Sequence, residues 1–100
     1  MAKSTHQPDR VLRELASVLA KLDADEMFDV FQAILTPRER AQIALRWKLV
    51  CMLEKGATQR AIAARLGISL CKITRGSHEL KFGPAAFRKA VRHAVEKRET

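Results

Sequence analysis

Arg46 and Arg75 have the most distinctive surroundings of any charged residues in this chain. Arg46 sits inside an apolar run, and Arg75 lies immediately before Gly76. Taken singly, each guanidinium reads as a snorkelling or salt-bridged side chain whose stem lies along apolar surface. Taken with Gly76, where a missing side chain leaves a notch, they describe a pocket for an anion with an apolar or aromatic body. Guanidinium planes both pair with carboxylates and stack on π faces. A second group, Leu70, Cys71, Lys72, Thr74 and Ser77, faces outward when Ile73 and Leu80 turn inward on one helical pattern. That outward set is what a reading helix presents to bases and phosphates. Catalysis finds no such support: His6, His78 and His93 do not cluster, and no nucleophile–base arrangement, carboxylate pair or phosphate-cradling Gly loop occurs. The chain is therefore read as a non-enzyme without a metal site.

The element that must position the outward set runs from Thr58 to Lys81. Thr58 has a hydroxyl that can accept from an early backbone N–H and so caps a short helix from about Gln59 to Leu66. Ile62 and Leu66, four apart, give this helix one buried stripe, and Ala63 allows a second helix to cross closely. Gly67 supplies the left-handed residue that ends the helix tightly, Ile68 plugs the turn, and Ser69 caps the second helix. Helix, glycine turn and helix in twenty-four residues are the pattern of a DNA-reading helix-turn-helix. Gly76 breaks it, because Gly inside a helix costs about 1 kcal/mol relative to Ala. It reads either as a tolerated weak spot or as the notch already described.

The remaining elements are helical too. Residues 1–7 are short and polar, which predicts a disordered arm ahead of one helical domain over residues 8–100. Pro8 and Asp9 open a helix with Val11, Leu12, Leu15, Val18, Leu19 and Leu22 on one face. Asp23 to Glu26 is expected to form a polar break, followed by a helix with Met27, Phe28, Phe31, Ile34 and Leu35 on its apolar side. Thr36 and Glu39 have the spacing of a capping box around Pro37, which suits a first helical position. The helix they begin, about Pro37 to Lys55, carries apolar residues on more than one face, among them Ile43, Leu45, Trp47, Leu49 and Val50. A chain this short has few spare helices to cover it, so a second subunit is expected to supply part of the cover, most simply in a two-fold dimer. Gly56 ends that helix. After Gly83-Pro84 a last helix is expected to turn Phe87, Ala90, Val91, Ala94 and Val95 inward, and Arg88, Lys89, Arg92, His93, Lys97 and Arg98 toward water.

Composition agrees with an all-α chain. Of the 100 residues 47% are hydrophobic, with four Gly and three Pro, and no β-branched stretch is flanked by turn signals. The formal charge of +8 favours a polyanion as partner, and an acidic membrane surface fits the charge equally well. Against a membrane stands the absence of any span of about 18 apolar residues and of a signal-peptide core near Met1. Cys51 and Cys71 lack metal-ligand spacing and read as small apolar or surface residues kept reduced in the cytoplasm.

The run ITRGSHELK at Ile73 to Lys81, with LTPRER at Leu35 to Arg40 and TQR at Thr58 to Arg60, resembles the tryptophan repressor family of bacteria. The likeness covers roughly Met27 to Lys81, while the first and last helices match only in kind. It implies a six-helix subunit in an intertwined homodimer, L-tryptophan as corepressor and a palindromic double-stranded DNA operator. Carried across, the ligand site falls on Thr36, Arg46, Arg75 and Gly76, with Leu35 near the ligand ammonium. The DNA contacts fall on Gln59, Arg60, Leu70, Cys71, Lys72, Thr74, Ser77 and Lys81. Arg60 suits a guanine edge, and Lys72, Thr74, Ser77 and Lys81 suit phosphates.

Three features depart from the family pattern. The link from Gly56 to Gln59 is one residue shorter, and Leu70, Cys71 and Lys72 are not the usual residues. Glu79 replaces a small Ser or Ala, where it would pair with a ligand ammonium or point to water. The short link and Phe82-Gly83 also resemble a sister branch of repressor-like proteins. The alternative reading is accordingly a ligand-independent helix-turn-helix regulator, and a helical protein–protein adaptor is a third.

Overall fold

The computed structural model describes residues 7–98, and among these it is all-α. Six helices follow in order: α1 (Pro8–Leu19), α2 (Ala24–Ile34), α3 (Pro37–Glu54), α4 (Gln59–Leu66), α5 (Leu70–Phe82) and α6 (Ala85–Arg98). Of the N-terminal arm only Gln7 falls within the described residues, extended at the N-cap of α1. The side chains of Lys97 and Arg98, expected to turn toward water, are not described. Contacts divide the chain into two compact units, Met1–Arg40 and Ala41–Thr100.

The first unit holds α1, α2 and the opening turn of α3. Pro8 stands in the first turn of α1 with Asp9 beside it, where a missing N–H and a negative charge both suit a helix N-terminus. The polar break expected over Asp23 to Glu26 is a helix start instead. The Glu26 N–H donates to Asp23 Oδ1 at 2.8 Å and the Asp23 N–H donates to Glu26 Oε1 at 3.1 Å, a reciprocal capping box. Polarity at these positions marks orphan N–H groups being satisfied, and the true break is the turn of residues 20–22. The second box forms as its spacing predicts, with Glu39 N–H to Thr36 Oγ1 at 3.1 Å and Thr36 N–H to Glu39 Oε1 at 2.9 Å. Arg40 fastens this corner, its Nη1 donating to the carbonyls of Gln32 at 3.0 Å and Leu35 at 2.9 Å.

No residue of α1 or α2 is buried. Val11, Leu12, Val18, Phe28, Phe31 and Ile34 are all exposed, between 41% and 59%. The apolar stripes read from the sequence are therefore only partly covered in the single chain, with Leu15, Leu19, Leu22, Met27 and Leu35 half-buried.

The second unit contains the core. Leu49, Val50 and Cys51 of α3, Ile62 of α4, Ile73 of α5, and Val91 and Val95 of α6 are buried together, with Met52, Leu66, Ile68, Leu80 and Phe87 packed around them. Ile62, Ile73 and Val91 are fully buried, so each of the last three helices contributes one side chain that solvent never meets. Ala90, expected inward, is exposed; the buried stripe of α6 runs Phe87, Val91, Ala94 and Val95, and Ala90 falls outside that arc. Gly67 ends α4 in the left-handed region at φ 66°, where a Cβ would strain the backbone.

Candidate ligand pocket and nucleic-acid interface

The geometry of α4 and α5 follows from their caps. Thr58 Oγ1 accepts from the Ala61 N–H at 3.1 Å, and Ser69 Oγ accepts from the Lys72 N–H at 3.4 Å, so both helices start where a hydroxyl satisfies a first-turn donor. The helical period of about 3.6 residues then sorts α5 into stripes around the buried Ile73. Leu70, Thr74, Ser77 and Lys81 lie along one line, spaced four, three and four. Lys72, Arg75, Gly76 and Glu79 lie along another, spaced three, one and three.

The second line forms one wall of a cavity of about 500 Å³ within the second unit. Arg46 stands on its α3 wall, and the apolar lining includes Ile43, Leu45, Trp47, Leu49, Val50, Ile68 and Phe87. The cavity thus gathers Arg46, Lys72 and Arg75 as cations, Glu79 as an acceptor, and a largely apolar body. That combination matches an anionic group joined to an apolar or aromatic skeleton, with Glu79 available to a cationic substituent.

Of the expected ligand residues, Arg46, Arg75, Gly76 and Glu79 are brought together here. Leu35 and Thr36 belong to the first unit. There the Leu35 carbonyl accepts from Arg40, and Thr36 Oγ1 accepts from Glu39 N–H, which leaves the threonine hydroxyl proton available to donate.

Something does press against the notch at Gly76, and it is part of the same unit. A Cβ placed there would lie 3.1 Å from Leu49 Cδ1 and 3.3 Å from Val50 Cγ1. Glycine at this position lets α5 cross the core side chains of α3 at close range while its backbone still borders the cavity.

The expected DNA residues divide. Gln59 and Arg60 are exposed in the first turn of α4, and Leu70, Cys71, Thr74 and Lys81 are exposed along α5. Ser77 is only half-buried, because it flanks Ile73 and Leu80. Lys72 is exposed but lines the cavity with Arg75 and Glu79. Its spacing to those two residues, three and seven, is the signal that could have placed it there from the sequence. Gln42 and Trp47 also line the cavity; they lie on a helix with apolar residues on more than one face, so no periodicity singled them out.

Among the described residues no group of three His, Cys, Asp or Glu is placed to hold a metal ion, and no helix is long and apolar enough to cross a membrane. Cys51 is buried in the core and Cys71 is exposed, as small apolar and surface residues should be.

Comparison with known proteins bears directly on this arrangement. A family model described as "Trp repressor protein" matches residues 10–95. The chain is similar to a "Trp operon repressor homolog" of Chlamydia caviae, 34% identical over 84% of this chain and 85% of that protein. Proteins with the same description from Chlamydia trachomatis serovar L2 and Vibrio atlanticus are each 35% identical. They cover 67% and 70% of this chain and 72% and 70% of their own lengths respectively.

Proposed function

The chain belongs to the Trp repressor protein family, a family of bacterial helix-turn-helix regulators and not of enzymes, and from that premise we propose that it is a tryptophan-responsive transcriptional repressor. The observation that supports this most is the division of α5. One line of the helix borders a cavity that two guanidinium groups also line, and the line away from it exposes Leu70, Thr74 and Lys81, with Ser77 half-buried between them. A ligand held on one line can set the attitude of the other.

In this reading L-tryptophan is the corepressor. The Arg46 and Arg75 guanidinium groups take its carboxylate and flank its indole, Gly76 gives the ring room, and Glu79 pairs with its ammonium. Leu35 and Thr36 join the ligand set on the strength of the family resemblance. The working form is a cytoplasmic homodimer in which a second copy covers the exposed stripes of α1 and α2 and the exposed Ile43 and Trp47 of α3. Residues 8–100 then act as one repressor domain. Two reading heads enter successive major grooves of a palindromic operator, about 34 Å apart. Arg60 reads a guanine edge, and Gln59, Leu70, Cys71, Thr74, Ser77 and Lys81 make the remaining base and phosphate contacts, with Lys72 bordering the cavity instead. The ligand acts only through its preference for the DNA-competent arrangement of the heads.

Titration calorimetry with L-tryptophan tests the corepressor role. Binding is expected at or below millimolar ligand, and Arg75→Ala should abolish it while leaving the helical circular dichroism unchanged. No heat at millimolar L-tryptophan would sink the reading.

One observation favours the second reading, a ligand-independent regulator. Leu49 and Val50 already occupy the space that a side chain at position 76 would need, so a glycine there is accounted for without any ligand. Equal operator affinity with and without L-tryptophan would select it.

A further inference from the structure

We propose that the recognition helix reads the C5-methyl groups of thymine, through an apolar patch made by Leu70, Cys71 and Thr74. This inference rests on the reading that α4 and α5 bind duplex DNA, and it names what their first turns recognise.

Leu70 is the first residue of α5 and is 51% exposed. Every other leucine of the second unit is buried or half-buried, so packing does not account for this one. Thr74 sits one turn further on, and its Oγ1 donates to the Leu70 carbonyl at 2.9 Å. That bond spends the hydroxyl proton inside the helix. What Thr74 offers outward is a methyl group and an oxygen that can only accept. Cys71, exposed beside them, adds a polarisable thiol that is a weak donor.

Leu70 and Cys71 each neighbour Thr74, at the four- and three-residue spacings of a helix surface. Together they offer no strong donor for the N7 and O6 acceptors by which purines are usually read. In the major groove thymine alone among the four bases presents an apolar group, its C5 methyl. Charge completes the match, since Lys81 lies on the same line as Leu70 and Thr74, Arg60 is exposed at the start of α4, and the chain carries +8 overall.

The test uses the full-length protein and a randomised duplex library, selected with and without millimolar L-tryptophan. The enriched duplex is then synthesised with thymine or with deoxyuridine, which differ only in the C5 methyl, at one half-site position at a time. Enriched half-sites should carry thymine. Deoxyuridine there should weaken binding about fourfold per methyl, from ~0.8 kcal/mol per buried carbon at ~1.4 kcal/mol per tenfold. Thr74→Ser removes the outward methyl but keeps the hydroxyl bond to Leu70, and Leu70→Ala trims the patch directly; both should shrink the deoxyuridine loss toward unity. Equal affinity of the wild-type protein for thymine and deoxyuridine duplexes overturns the methyl reading and leaves the DNA reading standing. A loss that persists unchanged in both variants assigns it to duplex shape and also overturns the proposal. If no duplex is enriched, the DNA reading itself fails and this inference fails with it.

Discussion

Replacing Gly76 by Ala sets two effects of similar size against each other. Inside a helix, Ala is favoured over Gly by about 1 kcal/mol, so an open position would be stabilised by that amount. Position 76 is not open: the new Cβ would lie 3.1 Å from Leu49 Cδ1 and 3.3 Å from Val50 Cγ1. Both neighbours are buried, at 3% and 4% exposure, and belong to the core that also holds Ile62, Ile73 and Val91. Relief requires core side chains to shift by a few tenths of an ångström, and overpacking of this kind costs roughly 1–3 kcal/mol. The net expectation is a loss of about 1 kcal/mol, read as a urea midpoint lowered by roughly 0.5–1 M at an m-value near 1–2 kcal/mol/M. Protein concentration is held fixed and L-tryptophan is left out, so that neither association nor ligand contributes. Leu49→Ala removes the nearest contact and should turn the same change from harmful to neutral or favourable, a coupling on the order of 1 kcal/mol. A Gly76→Ala variant that is more stable than wild type, or whose effect is the same with Leu and Ala at 49, would refute the close crossing of α5 over α3.

Arg88 donates through Nη1 to the carbonyls of Lys81 at 3.2 Å and Gly83 at 3.1 Å, closing the end of α5 onto the start of α6. Arg88→Met keeps most of the apolar stem but loses both bonds, and should lower stability by roughly 1–2 kcal/mol in thermal or urea unfolding; no change would remove it as the fastening of that corner. DNA affinity should fall steeply with salt, and Lys81→Ala should reduce the slope of log K against log salt by about one. Lys72→Ala should change that slope less, because its side chain lies along the cavity; equal slope changes would return Lys72 to the phosphate contacts.

Local chemistry is legible at most places where a hydrogen bond closes over three or four residues. Thr58, Gly67 and Ser69 mark the limits of α4 and α5 as read, and Thr36 with Glu39 begins α3. The same chemistry was overlooked at Asp23 and Glu26, where polar residues looked like a break although their three-residue spacing is that of a capping box. Part of the cavity lining was legible, since two arginines and a helix-interior glycine stand out among apolar neighbours. It was less legible as to membership. Lys72 joins Arg75 and Glu79 by helical spacing, but in sequence it also fits a reading helix, and periodicity cannot tell which flank of a helix a neighbour will cover.

The amino-acid order by itself therefore determined where helices begin and end, and which residues share a line on each, because caps, glycine turns and the helical period act over a few neighbouring residues. Tertiary structure alone decided what those lines meet. It placed Leu49 and Val50 against Gly76, and gathered Arg46, Lys72, Arg75 and Glu79 around one cavity. It also left much of the apolar stripes of α1 and α2 exposed, although hydrophobic periodicity alone reads as burial. Such outcomes depend on contacts between residues distant in sequence, and no local spacing encodes them.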